Sequence, residues 1–99
     1  MAFHIPLSFP VFNGNENLYT QKAISSGHVA THGQFINKFE CKLTKRLKTH
    51  QSVALNSGTS ALHLALILMG IGPGDEVICQ SFTFCASANP IVYLGANPI

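Results

Sequence analysis

Residues 52–60, Ser-Val-Ala-Leu-Asn-Ser-Gly-Thr-Ser, constrain the fold more than any other stretch of the chain. A short apolar run stops at Asn56-Ser57-Gly58, and a helix-forming run begins at Thr59. A strand that turns on glycine into a helix presents unpaired backbone N–H groups and the positive end of the helix dipole. That arrangement suits a phosphate. The elements that follow repeat the alternation. The pattern predicts a strand at 52–55, then a helix over 59–69 dominated by Ala and Leu and closed by Gly70. Ile71-Gly72-Pro73-Gly74-Asp75 reads as a tight turn, and 76–80 as a second strand. Residues 82–94 read as helical, kinked or broken by Pro90 and ended by Gly95, and a third strand begins at 97–99. Strand, helix, strand, helix, strand is an α/β signature, a sheet covered by helices. With a strand only starting at Ile99, the chain reads as the opening piece of a larger protein.

Upstream of this region, two prolines among Phe, Ile, Leu and Val make 1–12 an extended arm lying on an apolar surface. Asn13-Gly14-Asn15 reads as a turn and helix cap, followed by a short helix over 16–26 that Gly27 stops. After a loop at 28–33, Phe35, Phe39, Leu43 and Leu47 recur at every fourth position, with Ile36 beside them. Lys38, Lys42, Lys45 and Lys48 fall elsewhere on the wheel, so an amphipathic helix is predicted from Gln34 to about His50. Five of the 6 basic residues lie within 38–48, but Glu40 and apolar positions interleave them, which describes a solvated helix face.

The composition narrows the partners. Only 10% of residues are charged, 46% are hydrophobic and the mean hydropathy is +0.25, which fits faces meant to be covered by further segments or a second subunit. A formal charge of +2 calls for neither nucleic acid nor a membrane surface. The N-terminus lacks a basic start and is interrupted by Pro6 and Pro10, so it is not read as a signal peptide. The longest apolar run, Leu64 to Met69, is too short to span a bilayer. Cys41, Cys79 and Cys85 are odd in number and form no C-x-x-C, which reads as reduced thiols in a soluble, cytoplasmic protein.

Several constellations bear on chemistry. Gly58-Thr59-Ser60 can cradle a phosphate through backbone N–H groups and the Thr59 hydroxyl, or it can be an ordinary strand-to-helix turn with Thr59 as the cap. Gly70-Ile71-Gly72-Pro73-Gly74 is not a dinucleotide loop, since it follows a helix and precedes a strand, the reverse of what that loop requires. Ser81-Phe82-Thr83-Phe84 follows the carboxyl end of the second strand, where ligands of open α/β sheets sit. Its rings either stack on a planar cofactor or pack in the core. His28 and His32 are four apart with no evident third ligand, so no metal is expected. His63, in an Ala/Leu-rich helix, reads as a hydrogen-bonded structural histidine. No nucleophile–base pair is apparent, and Asp75, the single aspartate, sits in a turn.

Taken together, the motifs resemble a known family. They are Asn56-Ser57-Gly58-Thr59-Ser60-Ala61-Leu62-His63, Gly70-Ile71-Gly72-Pro73-Gly74-Asp75-Glu76-Val77-Ile78, Ser81-Phe82-Thr83-Phe84, Ala88-Asn89-Pro90-Ile91 and Leu94-Gly95-Ala96-Asn97-Pro98. In order and spacing they are similar to the DegT/DnrJ/EryC1/StrS aminotransferases, which use pyridoxal 5'-phosphate (PLP) on sugars. Ile5-Pro6-Leu7-Ser8, Gly14-Asn15-Glu16 and Phe39-Glu40 are similar too, particularly to enzymes acting on 4-keto-6-deoxy sugar nucleotides. The resemblance spans nearly the whole chain and only the N-terminal portion of the family's length. It implies the N-terminal part of the large domain of a type I PLP-dependent aminotransferase fold, α/β with helices on a mostly parallel sheet. Residues 1–12 would be the arm and 52–99 a cofactor-anchoring βαβ region, with the remainder of the domain absent.

By this resemblance Gly58, Thr59 and Ser60 hold the PLP phosphate, and Phe84 stacks on the pyridine ring. It also implies a homodimer with active sites at the subunit interface, a nucleotide-sugar substrate and an amino donor, glutamate. The family's Schiff-base lysine and the carboxylate facing the pyridine nitrogen lie downstream. Lys22, Lys38, Lys42, Lys45 and Lys48 all precede the phosphate turn and match no such motif, so no catalytic residue is assigned and the chain alone is expected to be inactive. A related branch with histidine in place of that lysine acts as a PLP-dependent sugar dehydratase. That branch, and a non-catalytic truncated remnant, are the alternative readings.

Overall fold

Local turn and capping chemistry sets several of the helix ends. A computed structural model of the chain describes residues 5, 6 and 8–99. Residues 1–4 and Leu7, part of the expected arm, lie outside the described residues. Within the arm, Phe9, Val11 and Phe12 are exposed and belong to no helix or strand. By its own contacts the chain forms two compact units, Met1–Ser52 and Val53–Ile99.

The first unit holds α1 (Glu16–Ser25) and α2 (Gln34–Leu47). Asn15 makes no side-chain cap bond at the start of α1. Glu16 does the work instead: its carboxylate accepts the Asn13 N–H at 2.7 Å and the Gly14 N–H at 2.9 Å. Chiefly the Asn13 bond, and then its own backbone N–H, hold the Glu16 carboxyl below its ordinary pKa of 4.5. Gly27 ends the helix as expected, in the left-handed region at φ +71°. On α2 the four-residue stripe is only partly covered. Phe35 and Leu43 are half-buried, while Phe39 and Leu47 are exposed. Phe35 meets the Tyr19 ring edge-on at 6.2 Å, and the Lys38 Nζ stands 5.9 Å from the Phe35 centroid. The helix stops short of the expected His50. Lys48 adopts a left-handed conformation at φ +54°, which costs a non-glycine residue roughly 1 kcal/mol, and the Thr49 N–H turns back to the Thr44 C=O.

The second unit runs α3 (Gly58–Leu68), β1 (Glu76–Val77), a 3₁₀ turn (Cys85–Ser87), α4 (Asn89–Tyr93) and β2 (Asn97–Pro98). The end of α3 is a Schellman motif. The Gly70 N–H bonds the Ile67 C=O, the Ile71 N–H bonds the Leu66 C=O, Gly70 sits at φ +77°, and Ile71 packs against the Leu66 cluster. The Gly72-Pro73-Gly74-Asp75 turn is closed from both sides, by the Asp75 N–H to the Gly72 C=O at 3.1 Å and the Gly72 N–H to the Asp75 Oδ2 at 2.8 Å. Pro73 followed by Gly74 at φ +94° is what a type II turn demands. β1 and β2 pair in parallel, Glu76 beside Asn97 and Val77 beside Pro98, and the ladder extends through the Cys79 N–H to the Ile99 C=O.

The core of this unit is small. Leu66, Pro90, Ile91 and Ala96 are buried, with Ile71, Val77, Cys79 and Leu94 packed around them. Ile91 is an apolar anchor at 2% exposure beside the fully buried Pro90, and burying such an aliphatic side chain is worth about 1.5–3 kcal/mol. α3 packs against both α4 and the 3₁₀ turn, and α4 packs against β2 of the parallel pair. No helix among the described residues is long and apolar enough to cross a membrane.

Two sequence expectations are corrected here. Residues 52–55 form no strand; among the described residues the sheet is the β1–β2 pair, and a run of strand-like residues becomes a strand only by joining such a ladder. Nor do residues 82–94 form one helix kinked at Pro90. Phe82 and Thr83 are in a bend, and Pro90 lies in the first turn of α4, where its missing N–H costs nothing and its fixed φ favours the helix.

Candidate functional site

α3 begins one residue earlier than the sequence suggests, and the difference changes which donors are free. Ser57 is extended, at φ −156° and ψ 158°, and serves as the cap. Its Oγ accepts the Ser60 N–H at 3.1 Å and lies 2.9 Å from the Ser60 Oγ, and its C=O accepts the Ala61 N–H. Thr59, the cap expected from the sequence in the plain strand-to-helix alternative, is instead the second residue of the helix. Both Ser and Thr are good caps, and the Ser57-x-x-Ser60 spacing was the signal that could have separated them.

Gly58, Thr59 and Ser60 therefore share the first turn of α3, but in different states. Among the described residues the Gly58 and Thr59 N–H groups have no acceptor, whereas the Ser60 N–H is taken by Ser57 and its hydroxyl is paired with the Ser57 hydroxyl. Gly58 has no positive φ, and a Cβ built on it would meet nothing within 4 Å. Neither backbone conformation nor packing within this chain requires glycine there. What it leaves is open space beside two free N–H donors, at the end of a helix carrying about half a positive elementary charge.

The charge around this turn sharpens the point. Every Lys and Arg lies between 22 and 48, so Val53–Ile99 contains none, and its two charged residues, Asp75 and Glu76, are acidic. Within this unit an anion at Gly58-Thr59 would be held by neutral donors and the helix dipole. Such a donor set fits a phosphate monoester, the anionic end of PLP.

The aromatic candidates separate clearly. Phe84 is extended, at φ −66° and ψ 138°, its C=O accepts the Ser87 N–H, and its ring is 78% exposed. It directly precedes the 3₁₀ turn that packs on α3. Phe82 is 99% exposed, so core packing, the plain alternative for both rings, holds for neither in this unit. The Thr83 Oγ1 lies 3.0 Å from the Ser87 Oγ, tying the loop to the turn. His63 meets the Tyr93 ring edge-on at 5.7 Å, a packing contact between α3 and α4. The apolar groove of about 280 Å³ in this unit is lined by Leu62, Leu66, Val77, Ile78 and Ile91 among others, and not by Gly58 or Thr59.

Comparison with known proteins places these features in context. A family model, the DegT/DnrJ/EryC1/StrS aminotransferase family, matches residues 11–99. The GDP-perosamine synthase of Caulobacter vibrioides is 43% identical over 95 residues, 96% of this chain and 26% of that protein. The GDP-perosamine synthase of Vibrio cholerae matches at the same identity and coverage. Among solved structures, Spr1654 from Streptococcus pneumoniae, assigned as a sugar aminotransferase, superposes in its PLP form with a TM-score of 0.86 at 36% identity, covering 98% of this chain and 24% of that one. An aminotransferase from Psychrobacter cryohalolentis gives a TM-score of 0.83 at 32% identity, over 93% and 24% of the two chains. The chain thus spans about a quarter of the length of the relatives it matches.

Proposed function

From the premise that this chain belongs to the DegT/DnrJ/EryC1/StrS aminotransferase family, we propose that it supplies the cofactor-anchoring part of an enzyme that transfers an amino group to a nucleotide-linked 4-keto-6-deoxy sugar. The observation that carries the reading is the first turn of α3. Two unpaired N–H groups flank a glycine that the chain's own packing does not require, in a family whose solved members include a PLP form.

When bound, PLP supplies the electron sink through which an amino group passes from a donor to a keto carbon. The Gly58 and Thr59 N–H groups bind its phosphate, and the Thr59 hydroxyl adds a third donor. Ser57 holds the turn in shape by capping Ser60, whose contribution is then through the fold of the turn and its hydroxyl. Phe84 offers an exposed face for the pyridine ring. The donor is proposed to be glutamate and the complete enzyme a cytoplasmic homodimer acting in cell-surface polysaccharide or glycan sugar biosynthesis. The names of the perosamine synthases support a sugar as acceptor. Val53–Ile99 contains no lysine, so a proton-moving lysine would come from elsewhere in that enzyme.

The test is to supply the complete protein with PLP, glutamate and a nucleotide-linked 4-keto-6-deoxy sugar, and to follow 2-oxoglutarate and the amino sugar by mass spectrometry. Stoichiometric appearance of both supports the proposal. Loss of a hydroxyl from the sugar with no amino group gained would assign it to the dehydratase branch. The reading frame beyond codon 99 gives an independent check, since a downstream lysine motif, a histidine in its place and a stop codon predict aminotransferase, dehydratase and inert remnant respectively.

A further inference from the structure

We draw no further inference here: the strongest candidate, the groove of about 700 Å³ between α1 and α2 lined by Tyr19, Phe35, Phe39, Lys38 and Lys42, is an unpartnered apolar face rimmed by lysines, and nothing in the structure shows what covers it.

Discussion

Replacing Gly58 with alanine should move folding stability and phosphate affinity in opposite directions. In the folded chain the new Cβ meets nothing within 4 Å, and the backbone there is not in the left-handed region. Alanine therefore adds no strain, and it restricts the unfolded chain, a gain of at most about 0.5–1 kcal/mol at such a site. For a complete protein of its relatives' length, about four times that of this chain, that corresponds to a rise in Tm of roughly 1 °C. The phosphate fares differently. If it sits in the space that the missing side chain leaves, the methyl displaces it from the Gly58 and Thr59 N–H groups. Each hydrogen bond to a charged group is worth about 1.5–3 kcal/mol, so losing one weakens binding by roughly 10- to 150-fold. The assay pairs a PLP titration of the complete protein, read by the cofactor's absorbance, with a thermal melt of the same variant without cofactor. A fall in Tm with unchanged PLP affinity would refute the argument, because glycine would then serve the chain's own packing.

Thr59→Ala removes the hydroxyl but keeps the N–H, so PLP affinity should drop only about tenfold, near the low end of the range for a charge-assisted bond, in the same titration. Phe82→Ala should leave the Tm unchanged, since the ring is 99% exposed, while Phe84→Ala should weaken PLP and alter its absorbance; the reverse pattern would shift the stacking ring by two positions. Ile91→Ala empties the centre of the second unit and should cost about 2–5 kcal/mol, read as a lower denaturant midpoint. Glu16 carries the one pH prediction. Its carboxyl is held low, chiefly by the Asn13 N–H, so its contribution to the start of α1 is present above the ordinary value of 4.5 and fades as pH falls through the lowered one. Amide shifts of Asn13 and Gly14 followed between pH 6 and about 2 should report that loss, and flat shifts would contradict it.

Much of the fold was legible because it rests on short-range chemistry. Gly27 and Gly70 end their helices where a left-handed residue is needed, and Gly72-Pro73-Gly74-Asp75 closes a turn that uses each of its residue types. The four-residue stripe of α2 predicted a helix, and Gly58-Thr59 marked a helix start. The misreadings fall into two kinds. Some had a local signal that was read the wrong way. Pro90 favours a first turn as readily as it breaks an interior, and Ser57 competes with Thr59 as a cap on nearly equal chemistry.

Others had no local signal at all. Val53-Ala54-Leu55 is as strand-like as Glu76-Val77, yet only the second joins the parallel ladder, which depends on Asn97–Pro98 lying beside it. Phe82 and Phe84 are the same residue two positions apart, and nothing in their order says that both rings stay exposed. The sequence by itself determined the helix stops at Gly27 and Gly70, the tight turn and the residues gathered at the first turn of α3, since each depends on groups within a few residues of one another, and its motifs over the whole length carried the family. Tertiary structure alone decided which segments joined the parallel ladder and which side chains became core, since ladder pairing and burial are settled only once the chain's segments meet in space.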